Sequence, residues 1–250
     1  MSEERVDDSS VQSLAERGFA LESVVNDDGE TQLVLKDISD TSMTPLAVDF
    51  SSKALLHRLR YGLSRTQTLG KALGLKSVNP ETAPYVIDAT AGLGTDSLIM
   101  AALGCRVRAF ERSEIIFQLL EDGVKRLRLA QDPQLSAISS RLTFERADAR
   151  TALLSLRDEE RPDVILLDPM YPEEGRSKSA LPKKTMQMFR RLLDGDEDSE
   201  ELWTAAMQAA KIRVIVKRPL KAPALGKSVK PTHVFEGKTH RFDMYLIPKT

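Results

Sequence analysis

Asp88-Ala-Thr-Ala-Gly92-Leu-Gly94-Thr-Asp96 follows the short apolar run Tyr85-Val86-Ile87. A run of strand length that ends in an acidic residue and opens into a glycine-bearing turn reads as a buried parallel strand feeding a helix. Glycines at that turn let the chain bend tightly and bring bare backbone up to a ligand. A second segment repeats the design: Val164-Ile165-Leu166-Leu167 leads into Asp168-Pro169-Met170-Tyr171.

Outward from these two turns, strands and helices alternate. Strands are expected at 85–88, 106–111, 142–146, 163–167 and 212–216. Helices are expected at 95–103, 113–130, shortly after Asp148, at 181–193 and at 199–210. A hairpin of 232–235 with 242–247 closes the chain. This alternation predicts an α/β fold, Rossmann-like, with a doubly wound, mostly parallel sheet and a C-terminal antiparallel hairpin. Residues 85–250 form that domain. Residues 1–84 read as a small N-terminal α+β module. It has strands at 19–25, 32–38 and 46–50, a turn at Asn26-Asp-Asp-Gly29, a helix over 53–73 broken at Gly62, and a linker from 77 to 84.

Composition bounds the chemistry. Of 250 residues, 41% are hydrophobic and 29% charged, as in ordinary globular proteins. No apolar run approaches the roughly 18 residues of a membrane helix. The acidic, polar N-terminus has no secretory or transit character, and a cytoplasmic protein is expected. Cys105 is the only cysteine, which excludes an internal disulfide framework. It reads as a small buried hydrophobe. His57, His233 and His240 lack metal-ligand spacing, so no metal is expected. Net charge is −1, unevenly spread. Residues 1–50 hold three basic against twelve acidic residues, and residues 211–250 hold ten basic against two acidic. That basic tail reads either as a phosphate-binding footprint or as a solvated face.

The turn after Ile87 lacks the third glycine of a dinucleotide site, since Ser97 stands in its place. D-x-x-x-G-x-G instead suits S-adenosylmethionine. Asp88 orders the loop or meets the methionine amine. Gly92 and Gly94 make the turn, and Thr95 and Asp96 open a helix whose first N–H groups can meet a carboxylate. Glu111 ends the second strand, where an acidic residue binds ribose hydroxyls. Asp148 ends the third, as an adenine contact or simply a helix cap.

The second turn suits a flat base carrying an amine. That nitrogen's lone pair is delocalised into the ring, and acceptors aimed at its N–H groups localise it. Asp168 offers a carboxylate and Pro169 a carbonyl, while Tyr171 offers a stacking face. A pure acceptor matches guanine, whose N1–H and N2 amine lie side by side, better than adenine. Adenine N6 or a protein glutamine is the alternative acceptor. A catalytically silent RNA-binding assembly protein is the reading from another class.

Further motifs occur in order: Gly104-Cys-Arg-Val, Glu111-Arg112, Leu167-Asp-Pro-Met-Tyr-Pro172, Val216-Lys-Arg-Pro219 and His240-Arg-Phe-Asp-Met-Tyr245. With the first turn they resemble the bacterial small-subunit ribosomal RNA methyltransferase J family throughout residues 45–247. The resemblance implies a class I methyltransferase fold and methyl transfer to N2 of a guanosine in 16S rRNA, with that RNA or the small subunit as partner. It implies cofactor contacts at Thr95-Asp96, Glu111-Arg112, Asp148-Ala149 and Asp168. The family often has Arg-Asp at the first of these pairs and Ser-Ser at the third, so Ala149 can contribute only backbone. Lys217-Arg218 and His240-Arg241 are expected against RNA, or else as surface cations and hairpin caps. Lys183-Lys184 and Arg190-Arg191 are read as further phosphate contacts or an ordinary helix face.

Overall fold

A computed structural model describes residues 14–26, 29–75, 83–170, 188, 191–192, 198–227 and 229–248. The chain divides into two compact units, 1–49 with 176–194 and 50–175 with 195–250. These units differ from the 84/85 boundary expected from sequence. The helical segment after residue 50 groups with the larger unit, where the Arg65 guanidinium donates to the Leu103 carbonyl and the Arg213 guanidinium to that of Ala72.

In the smaller unit β1 (Phe19–Val25) pairs antiparallel with β2 (Thr31–Asp37). The Gly29 N–H donates to the Asn26 carbonyl and closes the expected turn. The strand expected at 46–50 is reduced to one bridge between Leu35 and Leu46. Pro45 precedes it and has no N–H with which to extend a ladder. Arg191 lies over the Phe19 ring and pairs with the buried Asp37, so it serves this unit's packing. Lys183, Lys184 and Arg190 lie outside the described residues, as does most of the helix expected at 181–193.

In the larger unit seven strands form one sheet: β3 (Tyr85–Asp88), β4 (Arg106–Glu111), β5 (Leu142–Arg146), β6 (Val164–Leu167), β7 (Arg213–Pro219), β8 (His233–Glu236) and β9 (His240–Leu246). Their order is β5-β4-β3-β6-β7-β9-β8. The first five are parallel, and β9 runs antiparallel to both β7 and β8. This is the doubly wound sheet with a closing hairpin that the sequence predicts. Val164–Leu167 is buried at every position because helices cover both faces. Ile87, Ile165, Val214, Trp203 and Tyr245 share the core on one side. At ~1.5–3 kcal/mol for each fully buried aliphatic or aromatic side chain, such clusters dominate the stability of the unit. Cys105 is fully buried, and that burial pushes its thiol up to about 12, an inert state.

The described helices of this unit are α1 (Lys53–His57), α2 (Thr68–Leu73), α3 (Thr95–Ala102), α4 (Glu114–Leu129), α5 (Pro133–Ser139), α6 (Ala149–Leu154) and α7 (Ser199–Ala209). α1 runs into a wider π-helical turn, Arg58–Gly62, so the break expected near Gly62 is present. α5 was legible but not read. Asp132 caps it, accepting from the Gln134 and Leu135 N–H groups, and Pro133 opens it.

Candidate active site

β3 and β6 are neighbours in the sheet but distant in the chain, and the winding direction reverses between them. In such sheets the crevice beyond the carboxyl ends of the two strands is the ligand site. Both turns singled out in the sequence open there, and they are tied together. The Thr90 hydroxyl accepts from the Asp168 N–H at 2.6 Å, and the Ala89 N–H donates to the Leu166 carbonyl.

The first turn is braced from within. Asp88 is buried, accepting from the Ser97 hydroxyl at 2.5 Å and from the Thr90 N–H. Of its two expected roles it performs loop ordering. Burial pushes its carboxyl up to about 7, against the hydrogen bonds from Ser97 and Thr90, with the charges of Asp96 and Asp168 adding to the rise. Gly92 and Gly94 both have left-handed backbones, at φ 53° and 73°. At Gly94 a Cβ would stand 2.8 Å from both Leu120 and Phe144 and 2.9 Å from Phe50. This glycine is therefore required by the core beneath the turn. Gly94→Ala is expected to cost about 3 kcal/mol, combining the left-handed penalty with overpacking. The check is a drop in the urea midpoint at unchanged m-value.

Glu111, at the end of β4, accepts from the Gly92 N–H at 2.9 Å and from the Ser113 N–H at 2.7 Å. This carboxylate sits at the carboxyl edge of the sheet, the place where an acidic side chain can accept from ribose hydroxyls. Thr95 and Asp96 begin α3, whose N-cap is Gly94, with no side chain to satisfy the first N–H groups. These residues fit the S-adenosylmethionine expected from sequence: a carboxylate at the ribose position, and an uncapped helix start facing the same crevice.

Asp148 is the N-cap of α6, accepting from the Arg150 and Thr151 N–H groups, and it pairs with the Arg150 guanidinium at 3.1 Å. The Arg150 hydrogen bond, with the two backbone donors, holds its carboxyl below the usual range against the cost of burial. Ala149 is buried. Arg112 pairs with Asp198, which also meets Arg150.

Asp168 directly follows β6 and Pro169 is buried behind it, whereas Tyr171 lies outside the described residues. Lys217, expected against RNA or as a surface cation, instead makes its described contacts within the site. Its ammonium donates to Asp168 Oδ2 at 2.8 Å and to Asp96 Oδ2 at 2.7 Å, clasping the two turns. Burial opposes this charge, but the two carboxylates outweigh it and hold the ammonium well above its ordinary value. Partial burial in the crevice raises Asp168, Lys217 pulls it down, and Asp96 adds to the rise. The Asp168 side chain remains 40% exposed, so solvent still reaches the carboxylate. The only available signal was a lysine directly after the buried run Val214-Ile215-Val216, where a cation needs partners.

The other three residues expected against RNA divide. His240 is half-buried at the mouth, with its ring edge-on to Phe242 at 5.2 Å. Burial and the nearby Lys217 lower its pKa, so near neutral pH it offers a hydrogen bond rather than a charge. Arg218 and Arg241 are both buried. Arg218 donates twice to the Pro223 carbonyl. Arg241 pairs with Asp243 and donates to the carbonyls of Pro219, Leu220 and Ala222. Both guanidinium groups secure the connection after β7, a placement at odds with phosphate contact.

Comparison with known proteins agrees with this geometry. A family model described as "Putative SAM-dependent methyltransferase" matches residues 10–247. Ribosomal RNA small subunit methyltransferase J of Cellvibrio japonicus is 40% identical over 223 residues, covering 88% of this chain and 82% of that protein. The protein of the same name from Stutzerimonas stutzeri is 42% identical over 234 residues, covering 94% and 85%. A crystal structure of a SAM-dependent methyltransferase from Neisseria gonorrhoeae superposes with a TM-score of 0.65 at 32% identity, covering 96% of this chain and 94% of that one. With its glycine turn, its Asp-Pro-Met turn and the sheet that joins them, the chain belongs to the ribosomal RNA small subunit methyltransferase J family of S-adenosylmethionine-dependent methyltransferases.

Proposed function

We propose that this protein transfers a methyl group from S-adenosylmethionine to the exocyclic N2 amine of a guanosine in 16S rRNA, acting in the cytoplasm on the RNA or the small subunit. The observation that carries this reading is the Asp168 carboxylate, held by Lys217 on a residue whose backbone N–H is anchored beside the glycine turn by the Thr90 hydroxyl. It presents acceptors only, matching two adjacent N–H donors.

When bound, S-adenosylmethionine supplies an electrophilic sulfonium methyl group. Glu111 would hold the ribose hydroxyls, the turn at Gly92–Asp96 the methionine end and Asp148 the adenine, with Arg112 and Ala149 as further cofactor contacts. Asp168 and the Pro169 carbonyl accept from the base N–H groups, which turns the nitrogen lone pair out of conjugation as positive charge develops. Tyr171 stacks on the base. Orientation, rather than a strong base, supplies the rate.

Asp168 works in its ionised form, and Lys217 sustains that form. The charges facing it are Asp96 on α3, Asp88 on β3, His240 on β9 and Lys217 on β7. Removing Lys217 leaves the carboxylates to repel one another, so the Asp168 pKa rises further. Lys217→Gln is therefore expected to move the acid limb of the kcat/KM profile to higher pH, and Lys217→Arg to restore it in large part. An unshifted limb in Lys217→Gln, measured from pH 5 to about 9, would remove this role.

The deciding experiment is methyl transfer from labelled S-adenosylmethionine to undermodified small-subunit RNA or particles, followed by nucleoside analysis. N2-methylguanosine is the expected product. N6-methyladenosine would overturn the base assignment. Label in protein alone would move the acceptor to a side chain, and no label despite cofactor binding would make this a silent RNA-binding protein.

A further inference from the structure

Residues 51–75 carry Lys53, Arg58, Arg60, Arg65 and Lys71 and no Asp or Glu, in a chain whose net charge is −1. Two of these cations serve the fold. Arg60 pairs with Asp132 at 2.6 Å, and Arg65 donates to the Leu103 carbonyl. Lys53 and Arg58 are exposed, with no acidic partner among the described residues. Between them and beyond stand two exposed rings, His57 and Tyr61, with centroids 5.2 Å apart and planes tilted by 48°. Tyr61 is 77% exposed, although it sits on an ordered helical turn. A lone exposed aromatic would need no explanation. Two exposed rings beside cations that have no acidic partner among the described residues have the composition of a nucleic-acid surface, with phosphates for the cations and a base for the ring.

Position strengthens this. α2 packs on β8 and β9 and is tied by its Ala72 carbonyl to Arg213. α1 and its π-helical extension therefore belong to the same unit as the carboxyl edge where His240 begins β9. Phe50, three residues before Lys53, packs beneath the glycine turn at Gly94, and Thr68 at the start of α2 stands against Gly237 between β8 and β9. The acid-free segment thus borders the mouth of the crevice, while Lys217, Arg218 and Arg241 of the basic C-terminal stretch are engaged internally.

Resting on the reading of RNA as substrate, we propose that residues 53–61 form the RNA-docking face beside the active site. Lys53 and Arg58 hold backbone phosphates, and Tyr61 with His57 gives a stacking platform for an unpaired nucleotide flanking the target.

The test titrates wild type, Lys53→Ala/Arg58→Ala and Tyr61→Ala with the small-subunit rRNA used for methylation, over a range of salt. Cofactor affinity is measured on the same samples. The double variant is expected to lose about tenfold in affinity and to flatten the log–log salt slope by about 1.4–1.8, two phosphate contacts' worth. Tyr61→Ala is expected to lose about tenfold with the slope unchanged, since stacking releases no counterions. Cofactor affinity should hold in both, and Lys211→Ala/Lys230→Ala, exposed in the C-terminal stretch, should match wild type. Wild-type affinity and slope in all variants, with wild type active, would overturn the docking face alone. A parallel loss of cofactor affinity would overturn it in favour of a structural role. A wild-type protein that neither binds nor methylates RNA would overturn the substrate reading and this face with it.

Discussion

Replacing Asp168 by asparagine is expected to lower kcat for methyl transfer by about 10²–10³-fold, the cost of one well-placed electrostatic contact to a developing charge, roughly 2.7–4 kcal/mol. Asparagine keeps the volume but removes the charge, and its amide can turn donor hydrogens toward a base edge that itself only donates. The substitution is clean because the surroundings stay satisfied. Thr90 bonds the Asp168 backbone N–H, which the change leaves in place, and Lys217 retains Asp96 at 2.7 Å. Cofactor affinity, read by calorimetry, and RNA affinity should therefore persist while single-turnover methyl transfer collapses. Unchanged turnover would dismiss Asp168 from the chemistry. A matching loss of cofactor affinity would recast it as a cofactor ligand.

Arg241→Ala is expected to act on stability, costing about 3–5 kcal/mol, as when one partner of a buried ion pair is removed. The Asp243 side chain is fully buried, and both of its oxygens accept from Arg241. Three backbone carbonyls lose their donor in the same step. For a chain of this size, each kcal/mol lowers Tm by roughly 2–4 °C. Thermal and urea unfolding check this directly. The double change Arg241→Met with Asp243→Leu removes the stranded carboxylate and should recover part of the loss. If Arg241→Ala instead kept full stability and lost RNA affinity, the residue would be a phosphate contact after all.

These two residues mark how far the sequence could be read. The position of Asp168 was legible because its signal is local: an apolar strand-length run, an acidic residue and a proline, all contiguous. The same holds for Asp88, Gly92, Gly94 and Glu111, each at the carboxyl end of a strand whose bounds follow from its apolar run. In a doubly wound sheet those ends converge at one edge, so local pattern carries over to spatial neighbourhood. The division into two units was less legible. Residues 53–73 read as part of an N-terminal module, yet their packing partners lie beyond residue 100 in the chain.

The sequence by itself determined the α/β alternation, the two turns and the family to which they belong, because periodicity and turn chemistry act over a few residues. Tertiary structure alone decided the fate of the cations. Lys217, Arg218 and Arg241 look alike in a basic tail, but two carboxylates, the Pro223 carbonyl and a buried aspartate engage them in turn. Charge says only that a partner is needed. Which partner lies within about 3 Å is settled by strands and loops brought together from distant parts of the chain.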